Sequence, residues 1–164
     1  MPWPAQGRGA SGMKVYRITP RPSAEDLSGS GEGRWNSAHC PALYTTQCVS
    51  TAVLECLVHL EPDEQGRRNP HPDMCLVTFE LTPPDDITEL HPETLPPDWQ
   101  QNPEACRGYG DALLQQAAHL GFQVPAAVCP HDKNLVLNPA FADFGKAVRI
   151  AAIEPIELDA RLLG

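Results

Sequence analysis

The run STAVLECLVHL, residues 50–60, sets one carboxylate into an otherwise nearly apolar, helix-forming segment. Thr51, Glu55 and His59 recur at intervals of four, so a helix there puts all three on one face. A buried, unpaired carboxylate is costly. Two readings follow. Either Glu55 lies at the water-facing edge of the helix and pairs weakly with His59, or the face lines a cleft. In the second case Glu55 serves as an acid, a base or the stabiliser of a cation.

A second group is GEGRWNS, residues 31–37, where Arg34 stands beside Trp35 in a glycine-rich loop. Glycines let the backbone approach a ligand and arginine presents a planar fork of donors, a combination suited to an anion. The bland alternative is a surface turn with Trp35 tucked onto the core. No G-K-[ST] follows, which excludes a P-loop. Arg17 falls inside an expected strand, between Tyr16 and Ile18. It either faces solvent or needs an anion nearby. His39, Cys40, Cys48 and His59 do not match zinc-ligand spacings, so no metal is expected. Nothing marks Cys56 as an activated thiol.

Strands are expected at 14–19, 42–46, 74–82, 123–128, 134–139 and 147–159. A short helix is expected over 22–29, capped by Ser23. A second runs over 51–60, capped by Ser50 and stopped by Pro62. A third spans 109–121, capped by Asp111 and stopped by Gly121. Residues 83–103 read as a long irregular connection, and Asn134 and Asn138 as turn formers. This order is not the regular alternation of a doubly wound sheet. It predicts an α+β domain, a mixed and largely antiparallel sheet with flanking helices.

The chain has 164 residues, enough for one domain with a substantial core. Residues 1–12 read as a flexible extension, with Met13 the better start of a single domain over 13–164. Eighteen prolines, about twice the usual share, require many pinned loops. A net charge of −9 without a basic patch argues against direct nucleic-acid binding. No run reaches the roughly 18 apolar residues of a membrane span, and no signal peptide is visible, so a cytoplasmic protein is expected. The six cysteines include no C-x-x-C pair and read as reduced thiols.

Taken in order, VYRI, GEGRWNS, ALYTT, STAVLECLVHL and VPAAV…NLVLNP resemble the RES-domain toxins of bacterial toxin–antitoxin modules, over about residues 14–162. The resemblance implies an ADP-ribosyltransferase-like fold and an enzyme that takes NAD⁺ as substrate and cleaves its nicotinamide–ribose bond. It implies either degradation of NAD⁺, by hydrolysis or phosphorolysis, or transfer of ADP-ribose to a protein target. It also implies a cognate antitoxin carrying a helix-turn-helix DNA-binding region.

By the same resemblance, Arg17, Arg34, Tyr44 and Glu55 match the family's arginine, tyrosine and glutamate positions. The implied catalytic set is Glu55, Tyr44 and Arg34; the implied NAD⁺-binding set is Arg17, Arg34, Tyr44, His59 and Ala126. In these roles Glu55 stabilises the ribose cation, Tyr44 stacks on nicotinamide and the two arginines clamp the diphosphate. One position departs: the family's VPSAV is VPAAV here, so Ala126 replaces a serine hydroxyl and full activity is in question. A catalytically silent fold that binds an antitoxin is the alternative from a different class. A hydrolase acting on another nucleotide is the third.

Overall fold

In the computed structural model, residues 12–82 and 86–164 are described. The extension expected over 1–12 therefore lies outside the described residues, Gly12 excepted. Seven strands form one sheet in the order β4-β5-β6-β2-β1-β3-β7. They are β1 (Met13–Pro20), β2 (Leu43–Thr46), β3 (Met74–Leu81), β4 (Ile87–Glu89), β5 (Gly121–Pro125), β6 (Lys133–Leu137) and β7 (Val148–Pro155). Only β4 and β5 run parallel; every other neighbouring pair is antiparallel. The helices are α1 (Val49–His59), α2 (Pro103–Gln116) and the single turn α3 (Phe144–Ala147). This is the expected α+β architecture.

Period-two alternation decides which face each strand side chain meets. On β6, Leu135 and Leu137 join the cluster containing Val15, Val77, Phe79 and Leu81. Val136, between them, joins Trp35, Leu114, Phe122 and Val124 on the opposite face. The core is thus two apolar layers separated by the sheet, with α2 contributing to the second.

Several local expectations are corrected. The helix expected over 22–29 is only a 3₁₀ turn at Arg21–Ser23. The Asp26 carboxylate accepts from the Ser28 amide at 2.9 Å and turns the chain before a helix can continue. Helix α1 starts one residue before the expected Ser50 cap, because Cys48 holds the extended N-cap conformation with no side-chain capping bond. Helix α2 starts six residues before Tyr109, at Pro103. The Asn102 side chain accepts from the Ala105 amide at 3.1 Å, and proline's fixed φ suits the first helical position. Asp111 is therefore interior to α2 rather than its cap. The helix ends at Ala117, whose φ of 48° is left-handed, and Gly121 opens β5 instead of stopping α2. The connection expected to be irregular contains β4.

One seam in the sheet differs from the rest. Strand β1 pairs with β3 along its whole length, from Met13 opposite Leu81 to Pro20 opposite Met74. Against β2 it pairs at one position, Tyr16 opposite Thr46. The two strands part beyond that point, and the cleft opens there.

Candidate active site

The cleft has two compartments, about 620 Å³ and 350 Å³, each within the range of small-molecule sites. Arg17, Tyr44, Glu55, His59 and Asn134 line both, so they form the wall between them. The larger compartment adds Arg34, Trp35, Arg107 and Glu32; the smaller adds Ile18, Ala52, Leu60 and Met74. One end is thus rich in guanidinium groups and the other is largely apolar.

Glu55 reaches this wall because α1 packs beside β1 and β2. Thr51 and Ala52 are buried on that side, while Leu54 and Val58 are 40% and 59% exposed. The carboxylate is half-buried, and Oε1 accepts a 2.6 Å hydrogen bond from Asn134 Nδ2. Of the two readings of this helix face, the structure supports the cleft. His59, in the last turn, is exposed at the rim.

Arg17 leaves β1 where that strand parts from β2. Its only hydrogen bonds among the described residues are long: 3.4 Å from Nη1 to the Asp26 carbonyl and 3.4 Å from Nη2 to Thr19 Oγ1. Among the described residues no carboxylate lies within ion-pair reach of it. Burial pulls its guanidinium below the usual value, partly offset by Asp26. An arginine remains charged under such a shift. A half-buried cation in a cleft, with no carboxylate paired to it among the described residues, is suited to bind an anion.

The glycine-rich loop is built around Asn36, which is fully buried. Its amide nitrogen donates to the carbonyls of Ser30, Gly31, Ser37 and Cys40, while Oδ1 accepts a 2.6 Å bond from the Tyr44 hydroxyl. That hydroxyl in turn accepts from the Trp35 amide at 2.9 Å. Burial pushes the Tyr44 phenol up, so it stays neutral, and its oxygen is committed to the loop. What Tyr44 offers a ligand is the ring. Gly33 is required here, since a Cβ would lie 2.5 Å from the Tyr44 oxygen. Gly110 of α2 is required too, because a Cβ would overlap the Trp35 carbonyl.

Trp35 is both core and anchor. It packs on Trp99 at 5.9 Å and edge-on to Phe122 at 6.3 Å. Arg34 lines the larger compartment, but its Nη1 donates to the carbonyls of Trp99 and Gln100 at 2.9 and 3.0 Å, and the guanidinium lies 6.0 Å from the Trp99 ring. This arginine is held in place by the loop that faces it, unlike Arg17. Asp111 clasps the other end of the loop, accepting from the Ser37 amide at 2.9 Å and from the Ser37 hydroxyl. Burial pushes the Asp111 carboxyl up, but the bonds from Ser37 outweigh it and hold it below the ordinary value.

Ala126 stands apart from the rest of the implied set. It is fully buried just beyond β5, with its amide donating to the Asp132 carbonyl at 3.0 Å. Its neighbours Ala127 and Val128 line the cleft in its place. Conversely, two lining residues were missed in the sequence. Arg107 belongs to the part of α2 that precedes the expected start, and pairs with Glu32 of the loop at 3.7 Å. Asn134 falls within the strand expected at 134–139, but in place of the expected turn-forming role its side chain lines the cleft. Asn138 does shape a turn, accepting from the Ala140 amide at 3.0 Å.

A half-buried arginine with no ion pair among the described residues, a half-buried glutamate and a tyrosine ring thus share one divided cleft. The RES domain family matches residues 14–159. The chain belongs to the RES-domain family. It is 34% identical over 158 residues to "Toxin Res" of Photorhabdus laumondii, covering 92% of this chain and 97% of that protein. Identity to "Toxin Res" of Pseudomonas putida is 36% over 131 residues, covering 77% and 85%. A "Prs ADP-ribosylating toxin" of Sphingobium sp. is 27% identical over 150 residues, covering 85% and 88%. Among its described residues, this RES domain has no helix long and apolar enough to cross a membrane.

Proposed function

We propose that this RES domain is a toxin that cleaves the nicotinamide–ribose bond of NAD⁺. The observation that carries this reading is the shared wall: Glu55, Arg17 and the Tyr44 ring meet where an arginine-rich compartment adjoins an apolar one. An ADP-ribosyltransferase-like reading of the α+β fold and the name of the Sphingobium relative support the same chemistry.

In this reading the diphosphate lies against Arg17 and Arg34 and the pyridinium against the Tyr44 ring. The bond between the pyridinium nitrogen and ribose C1′ breaks with its electron pair going to nicotinamide, which leaves neutral and needs no proton. Positive charge passes to the ribose, an oxocarbenium-like state of the kind met in glycoside cleavage. The Glu55 carboxylate, oriented beforehand by Asn134, stabilises that charge at no reorganisation cost. Water, phosphate or a protein side chain then bonds to C1′ and gives up its proton. The first outcome is hydrolysis, the second phosphorolysis and the third ADP-ribosylation. The partner in this reading is an antitoxin with a helix-turn-helix DNA-binding region.

The test is release of free nicotinamide from NAD⁺ by the parent chain, Glu55→Ala and Ala126→Ser. Release by the parent that falls roughly a thousandfold in Glu55→Ala fits loss of the charge-stabilising group. No release from either the parent or Ala126→Ser sinks the enzyme reading. Ala126 favours one second reading, a silent fold that binds NAD⁺ without turnover. Saturable NAD⁺ binding without product, with a rate restored by Ala126→Ser, would establish it for this chain.

A further inference from the structure

The geometry points to Asn134 as the positioning residue for Glu55, one half of a two-rung polar ladder that sets α1 on the edge of the split sheet; this rests on the reading of Glu55 given above. Asn134 Nδ2 donates to Glu55 Oε1 at 2.6 Å. Two residues earlier, Asp132 accepts from the Thr51 hydroxyl. Both rungs tie one face of α1, at residues four apart, to the first residues of β6 and the bend just before it. Sliding or turning α1 breaks both at once.

The half of Asn134 that faces away from the glutamate shows what the residue is for. Oδ1 is buried and has no hydrogen-bond partner, one of only two such side-chain atoms among the described residues. The amide cannot turn over, since its oxygen would then face a carboxylate. The two structural asparagines behave differently. Asn36 uses both ends of its amide, and so does Asn138, which donates to the Leu114 carbonyl at 2.8 Å and accepts from Ala140. A side chain kept for sheet stability would not leave an acceptor stranded in the interior. Asn134 satisfies one group only, and that group is the carboxylate at the wall between the two compartments.

Crystal structures and kinetics of Asn134→Ala and the isosteric Asn134→Asp test this separately from the reaction itself. In both structures the Glu55 carboxylate is expected to leave its present position. With NAD⁺, kcat for nicotinamide release is expected to fall up to roughly a hundredfold, the size of effect a displaced catalytic group produces, with KM nearly unchanged. On a Glu55→Ala background, Asn134→Ala is expected to add nothing. A carboxylate that stays in place in both variants overturns the inference, whether or not the chain turns over NAD⁺. So does a large loss of melting temperature with Glu55 unmoved. If the parent releases nicotinamide and the variants match its kcat, the inference fails while the proposed function stands.

Discussion

Strand β1 has two neighbours and joins them differently. Toward β3 it is hydrogen-bonded from end to end, and Val15, Val77 and Phe79 along that seam are fully buried. Toward β2 it is joined at Tyr16 and Thr46 alone. The closed seam holds the fold together by burying apolar surface. The open seam leaves room between strands, and Arg17, Tyr44 and Glu55 occupy it. The same strand therefore contributes stability on one edge and a binding wall on the other.

The contrast breaks most sharply in the closed seam. Phe79→Ala is expected to lower unfolding free energy by about 3–5 kcal/mol, the usual cost of emptying a packed aromatic site, read by urea denaturation. Arg17→Met in the open seam should leave stability unchanged or improved, because a desolvated cation is replaced by an apolar chain of similar length. Its NAD⁺ affinity should fall roughly ten- to hundredfold, the worth of about 1.5–3 kcal/mol for hydrogen bonds to a charged group. Calorimetric titration separates the two effects; equal NAD⁺ affinity in parent and variant would remove Arg17 from the site.

Gly33→Ala tests the loop that supports the open seam. The new Cβ must displace the Tyr44 hydroxyl, 2.5 Å away, at about 1–3 kcal/mol for overpacking, with nicotinamide release reduced as the ring shifts. Asp111→Asn tests the same loop through its charge. The Asp111 carboxyl is held below its ordinary value of 3.8, so its contribution is full above that pH and is lost as pH falls through the folded value. The Asn variant should be less stable than the parent by roughly 1 kcal/mol at neutral pH and converge with it in acid. A gap that persists at low pH would assign the loss to shape instead of charge.

The smallest effect compares two thiols, one buried in β3 of the closed seam and one at the N-terminal end of α1. Cys75 of β3 is buried, donates to the Thr19 carbonyl at 3.3 Å, and is pushed up by burial. Cys48, the N-cap of α1, is lowered by hydrogen bonding with the Ser50 hydroxyl and the Thr51 amide. A lower value means more thiolate near neutral pH. Cys48 is expected to be alkylated by iodoacetamide before Cys75, Cys40, Cys56 and Cys106, all raised by burial. Ser50→Ala should slow it. Peptide mass mapping over a time course reads the order.

Much of this protein was determined by its local sequence. Alternation in KVYRIT and MCLVTFELT is enough to make strands, and STAVLECLVHL is enough to make a helix with Thr51, Glu55 and His59 in line, because period and propensity act over neighbouring residues. Helix boundaries were less legible, since Asn102 with Pro103 competes with Asp111 as a start; the Asn102 cap prevails, and Asp111, interior to α2, accepts from the loop instead. The identity of the cleft's wall was decided by tertiary structure. Whether Arg17 is a solvated strand residue or a cation lining the cleft depends on where β1 and β2 part. Whether Asn134 shapes a turn or holds a glutamate depends on where α1, packed on β1 and β2, brings Glu55. Those are contacts between residues far apart in the chain, and no periodicity within either segment encodes them.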